Sequence, residues 1–371
     1  MTRKFELSLI CLLLLAAGCA PTAAGVGAGP GVSGSALMVY VPNQSSATVS
    51  VIDTRLDSVV ATVDLQALGF SATAKPHHIA VEPDGSHWYV SLIGENTVVK
   101  FDRENRIVGR ARTEIPGLLA LDAAHHRLFA SRTMSAVNAP SSIAAINTED
   151  MSVIEEVDVV LPRPHAIAVT PDGGRVFIGS MSSNQVAVYQ PASGSTSLFE
   201  IEGPTHAIVQ FAISPDGTRL VGTGQLTNQL LVYDISGAGT PTRIVATGVP
   251  AWPWLVQFSK DGEFVWMANQ RGSGATKVRT SDWTVADTIT SDRFAEPHGV
   301  AVTPDGSRIY ISDQGQGAAT PMAGHDMASM HADAGDRSAG GLFVLDAASS
   351  KVIKVIPVGR YAAGIGIGGG G

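Results

Sequence analysis

The sequence predicts an all-β protein, a seven-bladed β-propeller whose last blade is closed by the C-terminal strand together with the N-terminal strands. Three observations predict it. First, a motif returns at a fixed interval. Ile79-Ala80-Val81-Glu82-Pro83-Asp84-Gly85 recurs at 167–173, 211–217, 256–262 and 300–306. Its Asp-Gly pairs fall at 84, 172, 216, 261 and 305, steps of 88, 44, 45 and 44. The double step implies a degenerate copy near 124, met by Leu118-Leu119-Ala120-Leu121-Asp122-Ala123-Ala124, and Gly364-Ile365-Gly366-Ile367 is a seventh. Second, each copy holds four short runs of strand character, in the third 166–170, 175–180, 185–190 and about 196–202. Four-stranded units repeating every 40–45 residues are the mark of propeller blades. Third, the two ends complement each other. The C-terminal copy has a first strand without followers, and residues 38–43, 48–54 and 58–63 are followers without a first strand. Joining them closes the ring and removes its exposed edges.

Composition agrees with a compact β protein. The 371 residues are 44% hydrophobic and only 16% charged, with 40 Gly and 20 Pro. Sparse charge and the absence of a sustained 3.6-residue apolar period argue against disorder and coiled coil. A formal charge of −8 supplies no electrostatic footprint for nucleic acid.

Residues 1–18 read as an address. Arg3 and Lys4 precede the apolar run Leu9–Leu15, which ends in Ala16-Ala17-Gly18-Cys19, the layout of a secretory signal. The small residues before Cys19 resemble the lipobox of bacterial lipoproteins, with Ala16 where Leu is commoner. The resemblance implies lipidation of Cys19, a membrane anchor, and a bacterial cell-envelope location exposed to periplasm or exterior. Residues 19–36 are small, uncharged and Gly-rich, a flexible tether, and 37–367 form the propeller. With residues 1–18 removed, Cys19 is the one cysteine left. This excludes internal disulfides, covalent CxxCH haem and thiolate metal sites.

Val39-Tyr40-Val41-Pro42-Asn43 followed by Val49-Ser50-Val51-Ile52-Asp53-Thr54 resembles the YVTN-repeat β-propellers. Their superfamily includes lactonase-like, nitrite-reductase-haem-domain-like and nitrous-oxide-reductase-like members. The resemblance spans essentially all of 37–367 and implies a fold rather than one activity.

The propeller mouth is where the chemistry gathers. Counting back seven residues from each motif Asp gives His77, His165 and His298, with Gly117, Val209, Trp254 and Ala363 at the equivalent places of the other blades. His78 adjoins the first, and His206 lies just ahead of Val209. These imidazoles are expected to face one channel mouth. Pro-His before an inner strand also serves a purely structural role, the ring bonding a neighbouring blade's backbone. His87, His125 and His126 are expected at surface turns on the opposite face.

A second feature favours a metal. The connection from 313 to 340 is a long insertion carrying Met322, His325, Met327, Met330 and His331 among Gly, Ala, Ser and Asp. Loops of such length are functional or disordered as a rule. Thioether and imidazole together suit copper, above all Cu(I). The expected metal set is therefore His77, His165, His298, Met322, His325, Met327, Met330 and His331. Met134, Met181 and Met267 are read as falling just after second strands and are expected near the same mouth. The loop also reads as a mobile Gly/Ala surface segment with Met as filler.

Charge suggests a different occupant. Lys75, Arg163 and Arg360 precede inner strands and, with Trp252 and Trp254, would suit a carboxylate-bearing cofactor such as a tetrapyrrole. Glu296, before Pro297-His298, counts against it. No nucleophile elbow or phosphate-cradling loop is present, so no catalytic residue is assigned and enzymatic activity is left open. The expectation is a lipid-anchored binding protein taking copper or a small ligand at a His-lined mouth. The alternatives are an oxidoreductase-related propeller with a non-covalent cofactor and a scaffold for an envelope protein partner.

Overall fold

The computed structural model describes residues 36–132, 140–272, 274–316 and 338–369. They form seven four-stranded antiparallel sheets. The first strand of each blade is the inner one: Pro76–Val81, Pro116–Asp122, Pro164–Val169, Ile208–Ile213, Pro253–Phe258 and Pro297–Val302 in blades 1 to 6, and Gly366–Gly368 in blade 7. Inner strands of successive blades pack side by side around the ring. Blade 7 is the composite that the sequence predicts. Gly366–Gly368 pairs with Met38–Asn43 in the register Met38↔Gly368, Val39↔Ile367 and Tyr40↔Gly366, and the sheet runs on through Thr48–Asp53 and Ser58–Asp64. Among the described residues, no helix is long and apolar enough to cross a membrane.

The repeated turn is built by its own side chains. Gly173, Gly217, Gly262 and Gly306 have φ between 65° and 74°, a region glycine enters without a Cβ penalty. The preceding Asp accepts the N–H two residues on, as Asp305 Oδ1 does from Ser307 at 3.0 Å. It also accepts a hydroxyl from two residues back: Thr170, Ser214, Ser259 and Thr303 reach Asp172, Asp216, Asp261 and Asp305, each at 2.5 Å. Blade 2 lacks Asp-Gly. There Ala123–His125 is a 3-10 turn, and His126 takes the left-handed φ of 52°. His125 and His126 are exposed and His87 is half-buried.

Apolar side chains fill the spaces between blades. Trp88 is fully buried, 4.9 Å from Tyr40 of blade 7 and 4.1 Å from Phe101 by ring centroids. Side-chain bonds lock other junctions. Gln210 accepts from Val256 N at 2.7 Å and Gln257 from Val302 N at 3.1 Å. Asp57 of blade 7 accepts from Tyr310 of blade 6 at 2.8 Å and binds Arg308 as well.

Candidate functional site

The channel site grows from two equivalent positions in each blade. The first is the second residue of the inner strand. In all six whole blades the pairing with the next strand shifts just after that strand's first residue, as between Pro76 and Ile79, Pro164 and Ala166, and Pro297 and Val300. A bulge of this kind re-aims a side chain. In blades 1, 3 and 6 the residue beside it is His77, His165 or His298, each at most 2% exposed. The ring centroid of His77 lies 6.4 Å from that of His165 and 6.0 Å from that of His298, edge-on to both. Trp254 takes the position in blade 5, with its ring 5.3 Å from His298.

Two of the imidazoles have their tautomer set. His165 Nδ1 lies 2.7 Å from the Val209 carbonyl of blade 4, and His77 Nδ1 lies 3.2 Å from Gln44 Oε1 of blade 7. Both partners are acceptors, so each Nδ1 donates and the lone pair stands on Nε2. Burial pushes His165 down to about 4, so its ring is neutral at physiological pH. Neutral imidazoles with Nδ1–H fixed on an oxygen are the form in which histidine ligates metals.

The second position is the residue that follows the second strand. In blades 4 to 6 its N–H donates to the carbonyl of the residue ahead of the inner strand, Gln225 to Ala207, Gln270 to Trp252 and Gln314 to Glu296, and in blade 7 Gln44 donates to Tyr361, five positions before Gly366, all at 2.9–3.2 Å. Four successive blades, 4 to 7, thus carry a buried glutamine there, while blades 1 and 3 carry Ile93 and Met181. Sequence reasoning missed this arc, although its signal is present. Gln225, Gln270 and Gln314 each stand nine residues after the motif Asp.

The remaining expected residues are spread more widely. His78 does not share the channel cluster: its Nδ1 accepts from Leu119 N of blade 2 at 3.2 Å, and burial lowers it to about 4. His206 is held at both nitrogens, by the Thr227 hydroxyl at 2.8 Å and the Glu202 carbonyl at 3.2 Å. His78 thus spends one ring nitrogen, and His206 both, on partners outside the His77–His165–His298 cluster. Met267 lies inside strand Phe264–Asn269, fully buried in the core beside Val256 and Val278, rather than at the mouth. Trp252 stays at the rim, half-buried, under the Arg271 guanidinium at 3.6 Å. Arg163 is half-buried with φ 54°, and Arg360 is exposed with its guanidinium on the Ser45 carbonyl at 3.2 Å.

The long connection leaves blade 6 after Asp313 and returns at Ala339. Met322, His325, Met327, Met330 and His331 within it lie outside the described residues, as do Cys19 and Met134. Among the described residues, no group of three or more His, Cys, Asp or Glu side chains is arranged to hold a metal ion. Asp313 itself is a wall element. Its carboxylate accepts from the N–H groups of Ala295, Glu296 and Gly315 at 2.9–3.1 Å, and burial raises its pKa in spite of them.

Compared by sequence, the chain matches no family model and no curated protein. Compared by structure, it has many likenesses. The periplasmic gluconolactonase PpgL of Pseudomonas aeruginosa matches over 90% of this chain and 100% of its own, at 16% identity and TM-score 0.67. Hydrazine synthase of Kuenenia stuttgartiensis matches over 78% of this chain and 89% of its own, at 17% identity and TM-score 0.62. The dihydro-heme d1 dehydrogenase NirN, solved in complex with DHE, matches over 88% of this chain and 74% of its own, at 13% identity and TM-score 0.55. At these identities the likeness is one of fold, and the chain is a seven-bladed β-propeller of the architecture that these proteins share.

Proposed function

We propose that this chain is a lipid-anchored binding protein of the bacterial envelope, whose channel takes a transition-metal ion, with copper favoured. One observation carries the reading: His77 and His165 meet in the channel with ring centroids 6.4 Å apart and each Nδ1–H fixed on an oxygen, the tautomer in which imidazole Nε2 ligates a metal. His298 is the third imidazole beside them. The rings alone are not a complete ligand set. The reading therefore assigns the remaining donors to Met322, His325, Met327, Met330 and His331, whose thioethers and imidazoles select soft or borderline metals. The small exposure of the histidines suits an ion better than a large planar ligand.

A tetrapyrrole is the second reading. It is supported by the rim pair Trp252–Arg271 at 3.6 Å and by the fold shared with NirN, which was solved with DHE. A porphyrin-type ligand would rest on the rim rather than among the buried rings.

The test is elemental analysis with a visible spectrum. Cys19→Ser protein from copper-supplied cells would be compared with the same protein carrying Met322, Met327 and Met330 changed to Leu, and with a His165→Gln variant. Near-stoichiometric copper that is lost in both variants supports the metal reading. A metal-free protein with a visible chromophore replaces it with the cofactor reading. A colourless, metal-free protein overturns both.

A further inference from the structure

The carboxamide arc includes groups that the histidines do not use. Gln44 is spent on His77, and Gln270 Nε2 donates to Gln314 Oε1 at 3.3 Å. Three buried groups at these same two positions of blades 4, 5 and 6 are left over. Gln225 of blade 4 is fully buried, and neither its Oε1 nor its Nε2 has a partner among the described residues. Trp254 Nε1 of blade 5 and Gln314 Nε2 of blade 6 are likewise buried and without a partner there. Buried donors and acceptors left unpaired carry their full desolvation penalty, which a bound partner would relieve.

The chemistry of the set is lopsided. It offers five N–H bonds, two from each carboxamide and one from the indole, against a single acceptor. The nearest cation by chain position is Arg271, which follows Gln270 directly and covers Trp252 at the same blade's rim. Of the acids on the adjoining blade, Glu296 and Asp313 flank the first two strands at their Gln314 end, and both Asp313 oxygens are already occupied by backbone N–H groups. A donor-rich, uncharged set of this kind is complementary to an anion with two acceptor oxygens. Neutral N–H donors hold a carboxylate in its charged form.

We propose that the blade 4–6 sector of the channel, formed by Gln225, Trp254 and Gln314, is a subsite for the carboxylate group of a small organic acid. It shares the channel with the metal reading but does not depend on it.

The test uses metal-stripped, full-chain Cys19→Ser protein and two probes of the same shape, acetate and acetamide. The readout is the Trp254 indole N–H signal, assigned with Trp254→Phe. Acetate is expected to shift that signal saturably, and acetamide to do so at least tenfold more weakly. Gln225→Glu, which places a negative charge in the site, should weaken acetate at least tenfold, and Gln225→Met, which keeps the length, should weaken it too. Equal responses to both probes would make the subsite one for neutral molecules and overturn the proposal. Silence to both would leave water as the partner of these groups and overturn it equally. An acetate response that persists in both Gln225 variants would assign the anion to the Arg271 rim alone. Because the protein is metal-free throughout, failure of the copper reading leaves this test unaffected.

Discussion

Gln44 Oε1 accepts the Nδ1–H of His77 at 3.2 Å across the seam where the N-terminal segment meets the first whole blade. Gln44 reaches that place because Met38–Asn43 is the second strand of blade 7, paired with the C-terminal Gly366–Gly368. Its backbone is anchored by donation to the Tyr361 carbonyl at 2.9 Å. The tautomer of a channel histidine is therefore set by closure of the ring, and an unclosed propeller would lack this contact.

Gln44→Leu should keep the fold while releasing the His77 ring. Loss of such a partner typically costs 10–100-fold in metal affinity where the imidazole is a ligand. Nitrogen chemical shifts of His77 in the metal-free variant should show mixed tautomers. Unchanged shifts would mean that another contact sets the ring, and unchanged copper affinity would remove His77 from the ligand set.

The seam has a second latch on its other side. Asp57, with φ 45°, receives Tyr310 OH at 2.8 Å and pairs with Arg308, joining blade 7 to blade 6. Asp57→Asn keeps a residue tolerant of the left-handed conformation but removes the charge. It should destabilise by about 1–3 kcal/mol. Hydrogen exchange should quicken in Met38–Asn43 before Val176–Ser180. Uniform quickening in all blades would show that the latch supports global stability rather than the seam.

Trp88 is the apolar part of the same closure, stacked between Tyr40 and Phe101. Trp88→Ala should cost roughly 3–5 kcal/mol, seen as a lower midpoint in urea unfolding. Trp88→Phe should recover most of it, because ring stacking survives while the bond from Nε1 to Asn105 at 3.2 Å is lost. A Phe variant as weak as the Ala variant would show that this hydrogen bond, not packing, carries the residue.

The fold was legible because its information is periodic and local. Each Asp-Gly turn announces itself, and blade 2 was recoverable from spacing even though Ala123–His125 replaces the motif. His77, His165 and His298 were legible for the same reason, as equivalents seven residues ahead of the motif Asp. The division between His77 and His78 was not read, because both fall in the register shift between Pro76 and Ile79, where regular strand alternation no longer assigns faces. His206 was unreadable from spacing, since its fate depends on Thr227, 21 positions away in the chain. The glutamines escaped because a polar residue after a strand looks like ordinary loop until the nine-residue offset is compared across blades.

The motif turns make the protein's acid response predictable at a single hydroxyl. Thr303 donates to Asp305 at 2.5 Å, and this bond is the main cause holding the Asp305 carboxyl below its ordinary value of 3.8. A carboxyl whose folded pKa is depressed contributes stability that is present above its unfolded value and lost as pH falls through the folded one. Thr303→Val should therefore be less stable than the parent at pH 7 by about 1 kcal/mol. The gap should narrow below pH 3.8, as Asp305 protonates in both proteins. It should not vanish, because Thr303 Oγ1 also accepts from Arg308 N at 3.0 Å. Thermal melts of both proteins at pH 7, 5 and about 3 measure the gap directly. A gap independent of pH would assign the hydroxyl's whole contribution to the Arg308 backbone and none to the carboxylate.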